Sequence, residues 1–219
     1  TADSKFNVSQ FTTYQGFDGV SACRTINETA ELVDNVVASG GSCFDFNTSN
    51  IVFDCAGFNV TSNPFGVMAF NITNTANFKL SNITIKNCNI QNFSIGINVS
   101  SASNISLFNN NITNVTDGIW LNNTAGSVLN NNLANASAGY GLYLTNSSNN
   151  TLSFNNVSTN INNGLYLLNS NRNVLDNNTG KAETSGIILQ TSSNNNLTGN
   201  TGTTSSQYGI YLVTGSNNN

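Results

Sequence analysis

Few side chains of this sequence are of the types that perform acid, base or metal chemistry. Its 219 residues include ten Asp and Glu, six Lys and Arg, and no histidine. Enzymes that cleave polysaccharides use two carboxylates about 5 to 9.5 Å apart, or acids that share a calcium ion. We therefore predict no catalytic centre, no metal site and no cofactor, provided that the fold does not bring the acids together.

The six basic residues are scattered and the net charge is −4, so the chain lacks the basic patch that nucleic acid requires. No apolar run approaches the roughly 18 residues of a membrane span. The first residues show no signal sequence. We expect a mature, processed chain with no nucleic-acid partner and no membrane-spanning segment.

The cysteines predict disulfides. There are four, with no Cys-x-x-Cys pair and no histidine to complete a zinc site: Cys23, Cys43, Cys55 and Cys88. Disulfides are typical of secreted proteins in oxidising compartments. Four cysteines allow three pairings.

Asparagine is the most unusual feature of the composition, with 46 residues. Many lie in Asn-x-Ser/Thr sequons, the acceptors of N-linked glycans. Sequons also arise by chance where Asn, Ser and Thr abound, and turn positions such as Asn122, Asn146 and Asn149 are the best candidates. The predicted sites are Asn7, Asn27, Asn47, Asn59, Asn71, Asn82, Asn92, Asn98, Asn104, Asn111, Asn114, Asn122, Asn135, Asn146, Asn149, Asn156 and Asn196.

The elements that position these residues follow from an internal repeat. A Gly-(Ile/Leu)-x-(Val/Leu) motif recurs every 22 or 23 residues, beginning at Gly96, Gly118, Gly141, Gly164, Gly186 and Gly209. A second apolar column follows at Leu107, Val128, Leu152, Val174 and Leu197. Three residues after each of these stands an asparagine: Asn110, Asn131, Asn155, Asn177 and Asn200.

A repeat of this length, with strand-like alternation and no helical period, predicts one coil of a β-solenoid. Stacked coils at about 4.8 Å would align the asparagines into an inward ladder, because an amide both donates and accepts hydrogen bonds. On this register Asn177 lies inside the solenoid, where a glycan has no room. We therefore leave its sequon out of the predicted sites.

The repeat register also separates the acids. Asp117 aligns with Ile95, Tyr140, Asn163, Ser185 and Tyr208, so no second carboxylate faces it. A group of charges falls within one coil and is interpreted as a solvated patch: Arg172, Asp176, Lys181 and Glu183.

The segments 51–58 (IVFDCAGF) and 83–90 (ITIKNCNI) read as earlier coils, and 42–58 contains SCFDFNTSNIVFDCAGF. From about residue 20 to 219 the chain resembles the pectate-lyase-like right-handed parallel β-helices with NosD-like, or CASH, repeats. The resemblance implies the fold. It says little about activity, because the group includes sugar-processing enzymes, a copper-handling protein and many archaeal and bacterial surface proteins.

We predict an N-terminal segment and cap over residues 1–42, and a parallel β-helix over 43–219 that is truncated mid-coil at its C-terminus. Residues 31–39 have near-helical spacing of apolar residues, but the resemblance favours strand. Alignment of the two early coils brings Cys55 and Cys88 together, so the preferred pairing is Cys23 with Cys43 and Cys55 with Cys88. These bridges would clamp the cap.

The residue two after each repeat glycine points outward from its strand. From the second repeat onward this column contains Trp120, Tyr143, Tyr166, Ile188 and Tyr211, and in the first repeat Asn98. Two interpretations stay open: stacking that stiffens the sheet, or a contact surface for another subunit or for sugar rings.

The sequence as a whole favours a structural role. We predict a non-enzymatic, glycosylated subunit of an extracellular surface layer or filamentous appendage of the archaeal kind, self-associating as a homo-oligomer or filament and adhesive as a second duty. The alternatives are a carbohydrate-binding module for surface glycans, or part of a polysaccharide-processing enzyme.

Overall fold

The computed structural model describes residues 18–74 and 79–219, which contain 23 β-strands and no helix. The first predicted sequon, Asn7, lies outside the described residues. In chain order the strands are β1 (Asp18–Val20), β2 (Arg24–Ile26), β3 (Ala30–Leu32), β4 (Val36–Ala38), β5 (Phe44–Phe46), β6 (Ile51–Asp54), β7 (Asn59–Thr73), β8 (Ser81–Lys86), β9 (Asn89–Ser100), β10 (Ser103–Phe108), β11 (Asn111–Asn122), β12 (Val128–Asn130), β13 (Leu133–Ala136), β14 (Leu142–Thr145), β15 (Thr151–Ser153), β16 (Asn156–Thr159), β17 (Asn163–Leu168), β18 (Val174–Asp176), β19 (Thr179–Ala182), β20 (Ser185–Gln190), β21 (Asn196–Thr198), β22 (Thr201–Thr204) and β23 (Tyr208–Val213).

The strands form three parallel faces. Face A is a nine-stranded sheet of β1, β3, β6, β8, β10, β12, β15, β18 and β21. The other sheet has 14 strands and bends, because β7, β9 and β11 run through two faces. Face B contains β4, the first parts of those three strands, and β13, β16, β19 and β22. Face C contains β2, β5, their last parts, and β14, β17, β20 and β23.

Each complete coil runs through faces A, B and C in turn, and about 8 coils of about 23 residues stack into a right-handed parallel β-helix. The predicted fold class is therefore confirmed. Strand side chains alternate, so every second residue enters the core. The early coils fill it with rings: Phe44, Phe53 and Phe70 are fully buried, and their centroids lie 4.8 to 5.5 Å apart.

The stacking already includes strands that precede residue 43. Strand β1 pairs with β3 on face A, and β2 pairs with β5 on face C. Residues 31–39 contribute to β3 and β4, as the resemblance implied. Both predicted disulfides are present, with Cα–Cα distances of 4.5 Å for Cys23–Cys43 and 4.8 Å for Cys55–Cys88.

The prediction was wrong by one residue at two positions of the apolar column and at two positions of the asparagine ladder. Leu107 pairs with Leu129, not Val128, and Leu152 pairs with Leu175, not Val174. The inward asparagines that follow are accordingly Asn132 and Asn178, while Asn131 and Asn177 occupy the turn with φ of 54° and 52°. Both turns contain consecutive asparagines, which glycine spacing cannot tell apart.

The corrected ladder is continuous and buried. From Asn110 to Asn178, each amide nitrogen donates to a backbone carbonyl and to the amide oxygen of the next coil; Asn132, for example, donates to the Leu107 carbonyl and to Asn155 Oδ1, both at 2.9 Å. The column consists of Asn110, Asn132, Asn155, Asn178 and Asn200. Cys88 occupies the same position one coil earlier, so the second disulfide lies at the ladder's N-terminal end.

Two further polar ladders line the core in the turn between faces C and A, where side-chain oxygens accept backbone N–H groups of the preceding coil. One consists of Ser127, Asn150, Asn173, Asn195 and Asn219. The other consists of Thr124, Ser147, Ser170, Ser192 and Ser216. Buried polar groups in these coils are thus satisfied by their neighbours along the axis.

The left-handed turn position after face A is occupied by asparagine or glycine in most coils, the residues that tolerate positive φ. Phe154 is a bulky exception, with φ of 54° and a side chain 55% exposed. We expect Phe154→Asn to raise the free energy of unfolding by about 1 kcal/mol, because the left-handed conformation costs other residues roughly 1 to 2 kcal/mol. Urea unfolding followed by circular dichroism would measure it.

Phe154→Leu is the matched control, since it removes the ring but keeps a side chain that disfavours positive φ. We expect no gain from leucine. Equal stabilisation by both substitutions would show that ring exposure, and not backbone strain, sets the cost.

Candidate functional site: an aromatic face

The predicted outward column of face C is in register. Trp120 pairs with Tyr143, Tyr143 with Tyr166, Tyr166 with Ile188, and Ile188 with Tyr211. The preceding coils continue the same column with Asn98 and Asn71, whose amides bond at 2.9 Å. An amide ladder therefore changes into an aromatic stack at Trp120.

The rings stack on each other along the solenoid axis. Ring centroids are 5.5 Å apart for Trp120 and Tyr143, and 5.1 Å apart for Tyr143 and Tyr166. Tyr140, which the sequence did not single out, joins them at 4.7 Å from Tyr143 and 5.4 Å from Tyr166. Its alignment with Asp117 was visible in the repeat, but only side-chain direction shows that its ring leans onto the neighbouring column.

Stacking leaves these rings half-buried. Tyr166 is only 9% exposed, and its hydroxyl donates to Gln190 Oε1 at 2.6 Å. Trp120 Nε1 is buried and has no hydrogen-bond partner among the described residues. Burial raises the pKa of Tyr166, with a further contribution from Tyr143 and Tyr140.

Two outward columns of face C, the stacked one included, contain no charged residue over five coils. Besides the stacked column, face C has a second outward column that ends its strands: Asn122, Thr145, Leu168, Gln190 and Val213. We call the outward surface of these two columns, from Trp120 to Val213, the aromatic face. An uncharged surface with rings and aliphatic side chains is typical of the core of a protein contact.

One carboxylate borders the aromatic face. Asp117 Oδ1 accepts the Tyr140 backbone N–H at 2.7 Å, and burial raises the pKa of Asp117 although this bond lowers it. A Cβ at Gly139 would lie 1.8 Å from the same oxygen, so the carboxylate packs directly against the next coil. The pairing of Asp117 with Ile95, and of Asn163 with Ser185, agrees with the register expected from the sequence. The Asp117 carboxylate can accept hydrogen bonds, but neither neighbouring coil places a second carboxylate beside it.

The predicted charge patch is dispersed: Asp176 lies in β18 on face A, and the other three members line two grooves. Lys181 and Glu183 line an open groove of about 520 Å³ together with hydroxyls such as Ser158 and Thr203. Arg172 lines a separate groove. Elsewhere Lys86 Nζ lies 2.9 Å from Asp54 Oδ2. Burial alone would raise the pKa of Asp54, but hydrogen bonds from Lys86, Ala56 and Asn87 lower it overall.

The sequon asparagines all avoid the core wherever the structure describes them. The fully buried asparagines, such as Asn132 and Asn155, belong to no sequon. The inward position predicted for Asn177 was wrong, since Asn177 is exposed in the turn and Asn178 occupies the ladder. Strand alternation contributes to this segregation: in Asn82-Ile83-Thr84 the polar residues point outward and isoleucine inward.

Comparison with known proteins agrees with this architecture. The family model of the periplasmic copper-binding protein NosD matches residues 56–219, which is 164 of the 219 residues. No curated protein matches the chain. Among solved structures, the Dettilon tailspike protein gp208 is similar, with a TM-score of 0.52 and 12% identity over 90% of this chain and 50% of that one. The A-module of the Azotobacter vinelandii mannuronan C-5 epimerase AlgE4 has a TM-score of 0.37 and 12% identity, over 89% of this chain and 75% of that one.

At 12% identity the tailspike likeness concerns the fold alone, and the chain spans half of that protein's length. Among the described residues no helix is long and apolar enough to cross a membrane.

The residues of this chain do not fit a copper site. Copper in proteins is bound by His, Cys and Met side chains. The sequence has no histidine and a single methionine, Met68, and all four cysteines are consumed in disulfides. The described residues bring no three His, Cys, Asp or Glu side chains together. Fold, repeat and family match nevertheless agree, and the chain belongs to the NosD family of β-helix proteins.

Proposed function

We propose that this chain is a structural, non-enzymatic rod of the cell exterior, and that its aromatic face packs against the same face of a second copy. The observation that carries this proposal is the aromatic face itself: ten outward positions over five coils without a charged residue, in a chain whose other outward columns include Lys181 and Asp176.

Ring orientation favours protein packing over sugar binding. A sugar binds an aromatic platform through the ring face, but here the Tyr143 ring lies between those of Trp120 and Tyr166, with centroids 5.5 and 5.1 Å away. Tyr140 of the same coil packs on Tyr143 as well, at 4.7 Å. What remains outward is ring edges, hydroxyls and aliphatic groups such as Leu168 and Val213. These suit a closely packed protein contact in which few hydrogen bonds are needed.

The placement of the carboxylates supports a role without catalysis. Asp117 has Ile95 on one side and a Gly139–Tyr140 backbone on the other, and neither supplies the second acid that glycoside chemistry uses. The three core ladders connect adjacent coils by hydrogen bonds, and their side chains are buried away from any substrate. Such a scaffold resists bending and extension, which suits a rod.

The compartment follows from covalent chemistry. The chain has two disulfides, which are typical of oxidising compartments and rare in the cytosol. The family description is periplasmic. We place the rod beyond the cytoplasmic membrane, as a glycosylated component of a surface layer or filament, with sequon glycans making a surface of low charge hydrophilic.

Sedimentation velocity over a range of concentrations tests the contact. We expect the natural chain to self-associate and the Thr145→Glu/Leu168→Glu variant to weaken association at least about tenfold, since like charges then meet across a symmetric interface. Both residues lie outside the ring stack, so the fold should survive.

Asn130→Glu/Ser153→Glu is the matched control, because these residues pair on adjacent coils of face A just as Thr145 and Leu168 pair on face C, and neither belongs to a sequon. It should associate like the natural chain. Association that is equal in both variants would refute the contact, and a monomer that binds oligosaccharide would turn the aromatic face into a glycan site.

A further inference from the structure

Five of the sequon asparagines that the structure describes donate their amide nitrogens to a side chain of a neighbouring coil, and the others do not. We propose that glycans attach at the corner formed by Asn146 and Asn149, and that the sequon asparagines bonded along the coil stack stay unmodified. This inference rests on the glycoprotein part of the proposed function and gives it specific sites.

In the first group the amide nitrogen donates to a side chain of the preceding coil. Asn98 donates to Asn71 at 2.9 Å, and Asn71 in turn to Asp45 at 2.9 Å. Asn82 and Asn111 donate in the same way at 2.8 and 3.3 Å. The group consists of Asn71, Asn82, Asn98, Asn111 and Asn114. We call these the ladder sequons.

The chemistry of N-glycosylation requires this nitrogen. A bond forms between Nδ2 and the anomeric carbon of a sugar, the bond from that carbon to the phosphate of a lipid-linked glycosyl phosphate donor breaks, and one amide proton is released. The product nitrogen carries a sugar ring in place of a hydrogen. An accepting amide must therefore point its nitrogen toward open space.

The amide nitrogens of the ladder sequons point along the stack of coils. The next side chain of the column lies one strand spacing away, about 4.8 Å, which leaves no room for a sugar ring. Asn98 is bonded to Asn71 and Asn114 to Asn92, and all four are sequon asparagines. Two glycans cannot stand side by side at that spacing.

The corner of Asn146 and Asn149 is different. Both side chains are exposed, both residues adopt left-handed turn conformations with φ of 50° and 59°, and no described residue accepts a hydrogen bond from either amide nitrogen. In the preceding coil the position of Asn149 is occupied by Gly126, which has no side chain to compete for the space, and in the following coil by Arg172. The sequon hydroxyls are supplied by Ser148 and Thr151.

Peptide mapping by mass spectrometry of the protein purified from its natural cells tests the assignment. We expect glycopeptides that contain Asn146 and Asn149, and unmodified peptides for the ladder sequons. In the same cells, Asn146→Gln/Asn149→Gln should lower the intact mass by two glycans.

The control removes two ladder sequons without touching their amides: Ser100→Ala/Thr116→Ala abolishes the sequons of Asn98 and Asn114 and should leave the intact mass unchanged apart from the substitutions. A glycan on any ladder sequon, or an unaltered glycan mass in the Asn146→Gln/Asn149→Gln variant, would overturn this inference alone. A chain without glycans would overturn it together with the glycoprotein part of the proposed function, while the aromatic-face contact would still be tested by sedimentation.

Discussion

Alanine in place of Gly141 is expected to lower the free energy of unfolding by about 3 kcal/mol, the upper end of the usual cost of overpacking. A Cβ at this position would lie 2.7 Å from the Gly164 carbonyl oxygen and 2.9 Å from the Ser158 backbone nitrogen. Neither backbone atom can move without disturbing its coil. Urea unfolding followed by circular dichroism measures the loss.

Glycine is thus required at the repeat positions because adjacent coils leave no room for a Cβ atom. The same crowding recurs at Gly118, whose Cβ would lie 2.2 Å from the Gly141 carbonyl oxygen, and at Gly164, 2.7 Å from that of Gly186. Gly41→Ala is the contrasting control, because Gly41 has a φ of 75° and open space around it. Its cost should be about 1 kcal/mol, from conformation alone. If Gly141→Ala cost no more than this control, interlocking of the glycine column would not be the reason for the repeat.

Asp in place of Asn155 is the second substitution with a large expected effect, at least about 3 kcal/mol at neutral pH. The side chain is 1% exposed and its shape would be unchanged. Its Nδ2 donates to the Leu129 carbonyl at 2.9 Å and to Asn178 Oδ1 at 3.0 Å. An aspartate would place a charged oxygen against these two acceptors, with no donor to offer either.

The loss should shrink in acid. Burial raises the pKa of such a carboxyl above its unfolded value, so the folded state favours the protonated form, and stability lost as pH rises through that pKa returns as pH falls. Urea unfolding at neutral and acidic pH measures both effects. Asn177→Asp is the control: that residue is exposed in the adjoining turn, and its change should stay within about 0.5 kcal/mol.

An Asn155→Asp chain as stable as the Asn177→Asp chain would mean that the buried ladder contributes little. Because each coil contacts only its neighbours, a weakened coil can also split the transition in two, so amide hydrogen exchange is a useful second measurement. Loss of protection should then centre on β15, β16 and their neighbours.

The family match concerns the fold of this chain, whereas copper binding depends on which metal-ligating side chains it has. A solenoid family shares backbone geometry, whereas copper binding depends on a few soft ligands that can be absent from a given member. Here the core is filled by aliphatic and aromatic side chains, its turns by Asn, Ser and Thr ladders, and the sulfur of the cysteines is used in disulfides. Function in this chain must therefore be sought in its outward faces.

Much of this architecture was determined by the sequence itself. The recurring glycine, the alternation around it and the length of 22 or 23 residues were sufficient for the parallel β-helix, because only stacked coils can bury a strand face at that period. The same register predicted the Cys55–Cys88 bridge and the Trp120 to Tyr211 column. These features depend on the spacing of residues along the chain, which can be read directly from the sequence.

The tertiary structure decided what spacing cannot. Whether Asn131 or Asn132 enters the core depends on which of two adjacent asparagines takes the left-handed turn, and both residues tolerate it. Whether Tyr143 offers its face or its edge depends on the ring above it, and whether Asn98 can take a glycan depends on a bond to Asn71. Each is settled by contact between coils, 22 or more residues apart in sequence, and by the direction of a side chain that composition does not record.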